Sequence, residues 1–282
     1  MPAPRRVTGD LRDALAGDRA IRRRAAREAV PIPGGLALRH PELDDVHYLN
    51  VVLLDSGPGQ PDPAAVEGLA DRWLGDLGHR HVVFDDEPAG ERAAAALAGT
   101  GWERSRTSFM VFGGDPAGAD DPRARPISET EMQALQLEGL RHEAPGVDAR
   151  TGLVDRLVAT QMALRQATPS RCFGAGGRGE RLASMCTLFL DEDVHGRRVA
   201  TVEEVGTLPP ARGRGLARAV VLAAVAHAGA WGADLIVVPA DADDWPQLMY
   251  ARLGFEPVGR QVALTRRLRQ RVGGSDSVAG AR

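Results

Sequence analysis

Arg212, Gly213, Arg214 and Gly215 combine fixed positive charge, backbone freedom and the approach to a helix within four positions. The run before them, 202–207, is rich in valine and glutamate and reads as a strand. It stops at Pro209 and Pro210, because proline lacks the ladder donor and turns its predecessor away from helix. From 216 to 229 the chain is Ala, Val and Leu with no internal breaker, which predicts a helix. The first-turn amides of such a helix have no intrahelical partner, and its N-terminus carries roughly half a positive charge. With Arg212, Arg214 and Arg218 beside two glycines, the stretch is an anion site suited to a phosphate or pyrophosphate. Glu203 and Glu204 precede it. Neighbours on a strand point to opposite faces, so at most one of these carboxylates lines a cleft beside the loop.

Elements must hold these residues in place, and the sequence places them in two similar series. The first half reads as an arginine-rich helix over 5–30, strands at 36–39 and 48–55, a helix over 64–77, a strand at 81–85, a helix over 91–98 and a strand at 107–112. A Gly- and Pro-rich linker follows at 113–126, with a domain boundary near residue 120. In the second half, Ser128 and Glu131 form a capping box ahead of a helix over 132–142. A helix over 153–166, a hairpin of 170–174 with 182–191, and a strand at 198–208 come next. After the long helix come a strand at 234–238, a short helix over 244–253 and strands within 257–268. Setting Gly101 and Trp102 against Gly254 and Phe255 gives an offset of 153 residues. At that offset 82–85 falls on 235–238, 64–77 on 217–230 and 51–55 on 204–208, which predicts a duplication. The expected organisation is an N-terminal helical arm (1–30), a first domain (31–120), a second domain (121–270) and a disordered tail (271–282).

Two motifs carry a family resemblance. Arg212, Gly215 and Ala217, spaced R-x-x-G-x-A after a strand, resemble the acyl-CoA pyrophosphate loop of the GNAT superfamily of N-acyltransferases. One helix and one strand later, residues 250–255 read Y-A-R-L-G-F and resemble the segment whose Tyr faces the CoA sulfur in that family. The resemblance covers about 127–268 and implies an α+β, three-layer α/β/α fold with a mixed central sheet, here in tandem. It implies that Val205, Gly206, Thr207 and Leu208 offer backbone groups to the thioester arm, and that Arg212, Gly213, Arg214, Gly215, Leu216, Ala217 and Arg218 cradle the diphosphate of acetyl-CoA. Asp243 stands about where many relatives carry Asn. In the first copy Gly59, Asp62 and Ala64 replace Arg212, Gly215 and Ala217, and Leu97 replaces Tyr250. An acid there repels a pyrophosphate, so the first copy is expected to be a degenerate domain that packs or shapes a cleft.

The implied activity is acyl transfer, acetyl by preference, from CoA to a primary amine within a ternary complex; a non-catalytic acyl-CoA sensor is the alternative. Acyl transfer needs a neutral amine near the thioester, a donor for the oxyanion and a proton for the departing thiolate. Leu208 N–H is the expected oxyanion donor. Tyr250, a phenol of pKa ~10, is the expected acid, and Glu203 or Glu204, directly or through water, the base. His142, Glu143 and Asp148 are weaker candidates for holding the amine of a small-molecule or peptide acceptor.

Composition sets the bounds. The 282 residues suffice for two domains, and 43% hydrophobic with 26% charged residues is a globular composition without a membrane-length apolar run. No secretory signal is evident, so the expected location is the cytoplasm, with Cys172 and Cys186 as reduced thiols. A net charge of -3 gives no footprint for nucleic acid, and the absence of lysine excludes a Walker-type loop. The interleaved Asp10, Asp13, Asp18 and Glu28 make the first helix a solvated, packed face rather than a basic arm. Gly174, Gly176 and Gly179 spell a dinucleotide fingerprint, but a strand follows where a helix is required, so they read as a hairpin turn. No metal is expected. A homodimer stays open as the assembly state.

Overall fold

Alternation along the strands decides the layers. In the computed structural model, which describes residues 7–57, 62, 65–143, 152–177, 179 and 181–268, the first half comprises α1 (Val7–Ala25), β1 (Glu28–Ile32), β2 (Gly35–Arg39), β3 (Val51–Leu54), α2 (Val66–Leu74), β4 (His79–Phe84), α3 (Glu87–Ala96) and β5 (Glu103–Phe112). The second comprises β6 (Ala124–Ile127), α4 (Glu129–Glu143), α5 (Leu153–Ala167), β7 (Ser170–Gly176), β8 (Leu182–Val194), β9 (Arg197–Thr207), α6 (Leu216–Trp231), β10 (Leu235–Asp241), α7 (Pro246–Arg252) and β11 (Phe255–Arg267). Ala200, Val202, Ile236 and Val238 turn to one face and pack under α6 and α7. Their neighbours Val199 and Val237 turn to the other and pack under Ala14 and Leu15 of α1. On the α6 face, α2 and α3 cover Val82, Phe84, Val262 and Leu264. Opposite, α4 packs Met132 and Leu135 against Cys172. Each large aliphatic side chain so buried stabilises by about 1.5–3 kcal/mol.

The sheet has eleven strands in the order β1-β2-β3-β4-β11-β5-β10-β9-β8-β7-β6. Its centre explains how the copies are joined. β4 and β10 are repeat counterparts, as are β5 and β11, and the last strands are exchanged. β11 runs antiparallel to β4, with Val262 opposite Phe84, while β5 runs antiparallel to β10, with Val111 opposite Val237. β5 and β11 also pair with each other, Thr107 facing Gln261 and Ser108 facing Arg260. Each copy therefore takes its last strand from the other. Residue 120 falls between β5 and β6 in sequence, but the sheet runs across that division.

Several expectations shift. The first helix ends at Ala25; Arg27 N–H then bonds to Arg39 O at 3.0 Å, and 28–32 becomes the edge strand β1 rather than more helix. Pro31 fits there because an edge strand has one side without a partner. α1 is not an arm, since it lies in the layer against β9, β8 and β11. β6 forms within the expected linker. The capping box is present, with Ser128 N–H donating to Glu131 Oε2 at 2.8 Å and Glu131 N–H to Ser128 Oγ at 3.3 Å. The ungapped offset holds for β4 and β10 but fails one strand earlier: Val82 pairs with Val52, whereas its counterpart Leu235 pairs with Val199 instead of Val205. No helix among the described residues is long and apolar enough to cross a membrane. The predicted tail at 271–282 lies outside the described residues.

The exchange makes each half incomplete. Fragments 1–120 and 121–282 produced separately should lack cooperative unfolding by circular dichroism, and co-expression should restore one folded complex. Two independently folded monomers would contradict the exchanged sheet.

Candidate functional site

A cleft opens where β9 and β10 part. They pair only from Leu235↔Val199 to Val237↔Thr201. β10 then follows β5 as far as Asp241↔Thr107, and β9 follows β8 as far as Thr207↔Ser184. The gap widens into a cavity of about 1230 Å³ bounded by Val205, Thr207, Arg212, Gly215, Met249 and Tyr250 among others. Leu208 N–H points away from it, donating to Ala183 O at 2.8 Å. It is consumed by the β8 ladder, which corrects its expected role as oxyanion donor. By strand alternation the peptide groups of Val205 and Thr207 turn the other way, toward the gap.

The loop at the mouth is set by glycine. Gly213 and Gly215 have φ of +76° and +74°, the left-handed region that costs residues with a Cβ. Gly215 is the N-cap of α6 and has no side chain to occupy the first-turn amides, so these stay available to an anion. Arg212 Nε donates back to Thr207 O at 3.2 Å, tying the loop to the strand. Arg123 braces the loop from behind, donating to Arg214 O at 3.0 Å and Gly215 O at 3.4 Å. Asp121 holds Arg123 at 2.8 Å and lies 3.5 Å from Arg218. Arg218 therefore spends part of its charge on Asp121. Arg123 left no mark in the sequence beyond being one arginine in a linker.

Tyr250, only 5% exposed, comes from α7 and meets Phe255 edge-on at 6.0 Å. Burial, then the nearby Cys186 and Glu203, raises its pKa further above the usual phenol value. It keeps its proton at neutral pH. Trp245 and Leu248 of the same segment are exposed large apolar residues on the cavity wall.

Glu203 and Glu204 depart from simple alternation. Glu204 has φ of +56°, and the β8–β9 register shifts there between Met185 and Thr187. This bulge turns both carboxylates to the face covered by α1, α4 and α5, correcting the expectation of opposite faces. Their surroundings differ. Glu204 Oε2 accepts from Arg165 at 2.5 Å, Thr187 at 2.5 Å and Gln136 at 3.2 Å, and Arg165 also grips Glu129. Its Oε1 is buried with no hydrogen-bond partner. Glu203 Oε1 lies 3.5 Å from Tyr48 Oη, near Asp18 and Arg22. Burial, followed by the charges of Asp18 and Glu204, pushes its pKa up to about 8 against the opposing pull of Arg22.

The other candidates are not brought here. His142 lines a separate hollow of about 560 Å³ on α4, 3.9 Å from Glu138; the Glu143 side chain and Asp148 lie outside the description. In the first copy the strands do not part. β3 and β4 pair to Leu54↔Phe84, Asp85 N–H donates to Leu54 O at 3.1 Å, and Arg19 binds both Asp55 and Asp85 across the strand ends. Leu97, at the position of Tyr250, is buried. Gly59 lies outside the described residues.

Residues 139–255, within the second half of the chain, match the acetyltransferase (GNAT) family model. No curated protein matches the sequence. A GCN5-related N-acetyltransferase from Kribbella flavida has the same fold, with a TM-score of 0.58 and 24% identity over 91% of this chain and 95% of that one. A conserved protein of unknown function from Staphylococcus epidermidis superposes with a TM-score of 0.68 and 11% identity over 86% of this chain and 94% of its own. The fold is thus shared across both halves.

Arg165 neutralises a carboxylate that is itself almost fully buried, with side-chain exposures of 2% and 6%. Removing one partner of such a pair leaves an uncompensated charge, so Arg165→Met should cost about 3–5 kcal/mol in urea unfolding. A loss under 1 kcal/mol would show that solvent reaches Glu204.

Proposed function

We propose that this protein transfers an acetyl group from acetyl-CoA to a primary amine, in the cytoplasm, by direct attack of the amine while both substrates are bound. The parting of β9 from β10 carries this reading, because the glycine-capped start of α6, the gap-facing edge of β9 and Tyr250 border one opening. The residues suit the donor. Two left-handed glycines leave a cradle at the mouth, and the cavity is large and lined by both apolar and cationic side chains.

The α6 amides and Arg212 would hold the diphosphate, and the edges of Val205 and Thr207 the pantetheine arm. Val205 N–H takes the role first given to Leu208, polarising the carbonyl that receives the attack. A primary amine of pKa ~10 arrives as ammonium, and Glu203 takes its proton. Tyr250, kept protonated by burial, donates to the sulfur as the C–S bond breaks. Glu204 is committed to Arg165 and supports the site rather than reacting.

Glu203 accepts a proton only when ionised, so kcat/KM should rise with pH through about 8 and level off above it. Glu203→Gln should remove that limb, and Tyr250→Phe should lower kcat about 10²-fold. Thiol release from acetyl-CoA, measured with a panel of amines, checks this. Donor binding without turnover on any amine, unchanged in Tyr250→Phe, would instead make the protein an acyl-CoA sensor.

A further inference from the structure

Glu203 belongs to the second copy, but most of what surrounds its carboxylate belongs to the first. Tyr48 stands in the turn His47–Leu49 just before β3. Its hydroxyl lies 3.1 Å from Asp18 Oδ1 and 3.5 Å from Glu203 Oε1. Asp18 Oδ2 is 2.9 Å from Arg22 Nε one turn along α1, and the Arg22 guanidinium lies 3.9 Å above the Tyr48 ring. Asp18 and Arg22 are 3% and 8% exposed. The charged and titratable groups around Glu203 are thus Asp18 and Arg22 from α1, Tyr48 from the turn, Glu204 from its own strand and Tyr250 from α7.

We infer that the first copy completes the catalytic centre of the second, with Tyr48 as the positioning residue for Glu203 and the Asp18–Arg22 pair fixing Tyr48. A buried ion pair is poor value as a fastener, since apolar residues of similar volume would hold α1 in place as well. Its arrangement suits a carboxyl group that changes state. Asp18 Oδ2 faces Arg22, which leaves Oδ1 as an acceptor for the Tyr48 hydroxyl. When Glu203 is ionised, the same O–H can turn to it as donor. When Glu203 has taken the amine proton, its new O–H donates to the Tyr48 oxygen while the Tyr48 proton stays on the Asp18 side. One hydroxyl therefore holds the carboxyl group in both protonation states, with no proton gained or lost by Tyr48. This role explains why a copy with its own strands closed by Arg19, Asp55 and Asp85 still contributes to the site.

The inference rests on Glu203 being the base, but its test is independent of turnover. The Glu203 carboxyl can be titrated in the full chain by infrared difference spectroscopy, its band assigned by loss in Glu203→Gln. Tyr48→Phe removes a hydrogen bond that favours the ionised form, so the midpoint should rise by about one pH unit. Asp18→Asn removes a like charge, so the midpoint should fall by about one unit. A purely structural role predicts a different pattern, because loosened packing admits water and lowers the midpoint in both variants. Thermal unfolding of each variant confirms that it is folded. A midpoint in Tyr48→Phe that stays put or falls would overturn the inference. If Glu203→Gln instead kept full acetyl transfer, the base assignment would fail while the Tyr48 coupling could still be read.

Discussion

The site depends on how backbone hydrogen bonds are shared among four strands. β10 pairs with β9 only as far as Val237, and from there it keeps β5 on its other edge. β9 stays with β8 through a bulge at Glu204. Each strand keeps a partner on its far side, so only the peptide groups facing the gap lose their ladder partners. The cleft is therefore a product of sheet pairing rather than of side-chain shape. β5, which stays with β10 along the opening, comes from the first copy.

The two copies are thereby joined in two ways. The first copy supplies the strand that backs β10 along the cleft, and its α1 and Tyr48 lie near the Glu203 carboxylate. It has meanwhile closed its own cleft. β3 and β4 remain paired up to their ends, where Arg19 ties Asp55 to Asp85. A residue pair that would repel a phosphate is here neutralised by an internal arginine. Gln261 of β11 also reaches Asp85, at 2.7 Å, so the second copy helps to seal the first.

Much of this was legible in the sequence, because the features were local. Gly213 and Gly215 announced a loop whose backbone can approach a ligand, Ser128 with Glu131 announced a helix start, and the R-x-x-G-x-A and Y-A-R-L-G-F stretches pointed to one site. What stayed hidden was either non-local or unmarked. Glu204 takes a positive φ without being glycine, so the bulge that brings Glu203 and Glu204 to one face had no signature. Leu208 N–H was assigned by likeness, and only the ladder with Ala183 shows that it is taken. The six-residue slip of β9 relative to β3 broke an offset that was continuous elsewhere. Strand exchange, Arg123 and Tyr48 depend on pairings across the whole chain, which periodicity does not encode.

One copy holds a cleft and the other has closed it. Calorimetric titration of the full chain with CoA measures this directly. One site per chain, lost in Gly215→Glu where a side chain is forced into left-handed backbone at the helix N-cap, is the predicted result. Two sites per chain, or one site that survives Gly215→Glu unchanged, would contradict it.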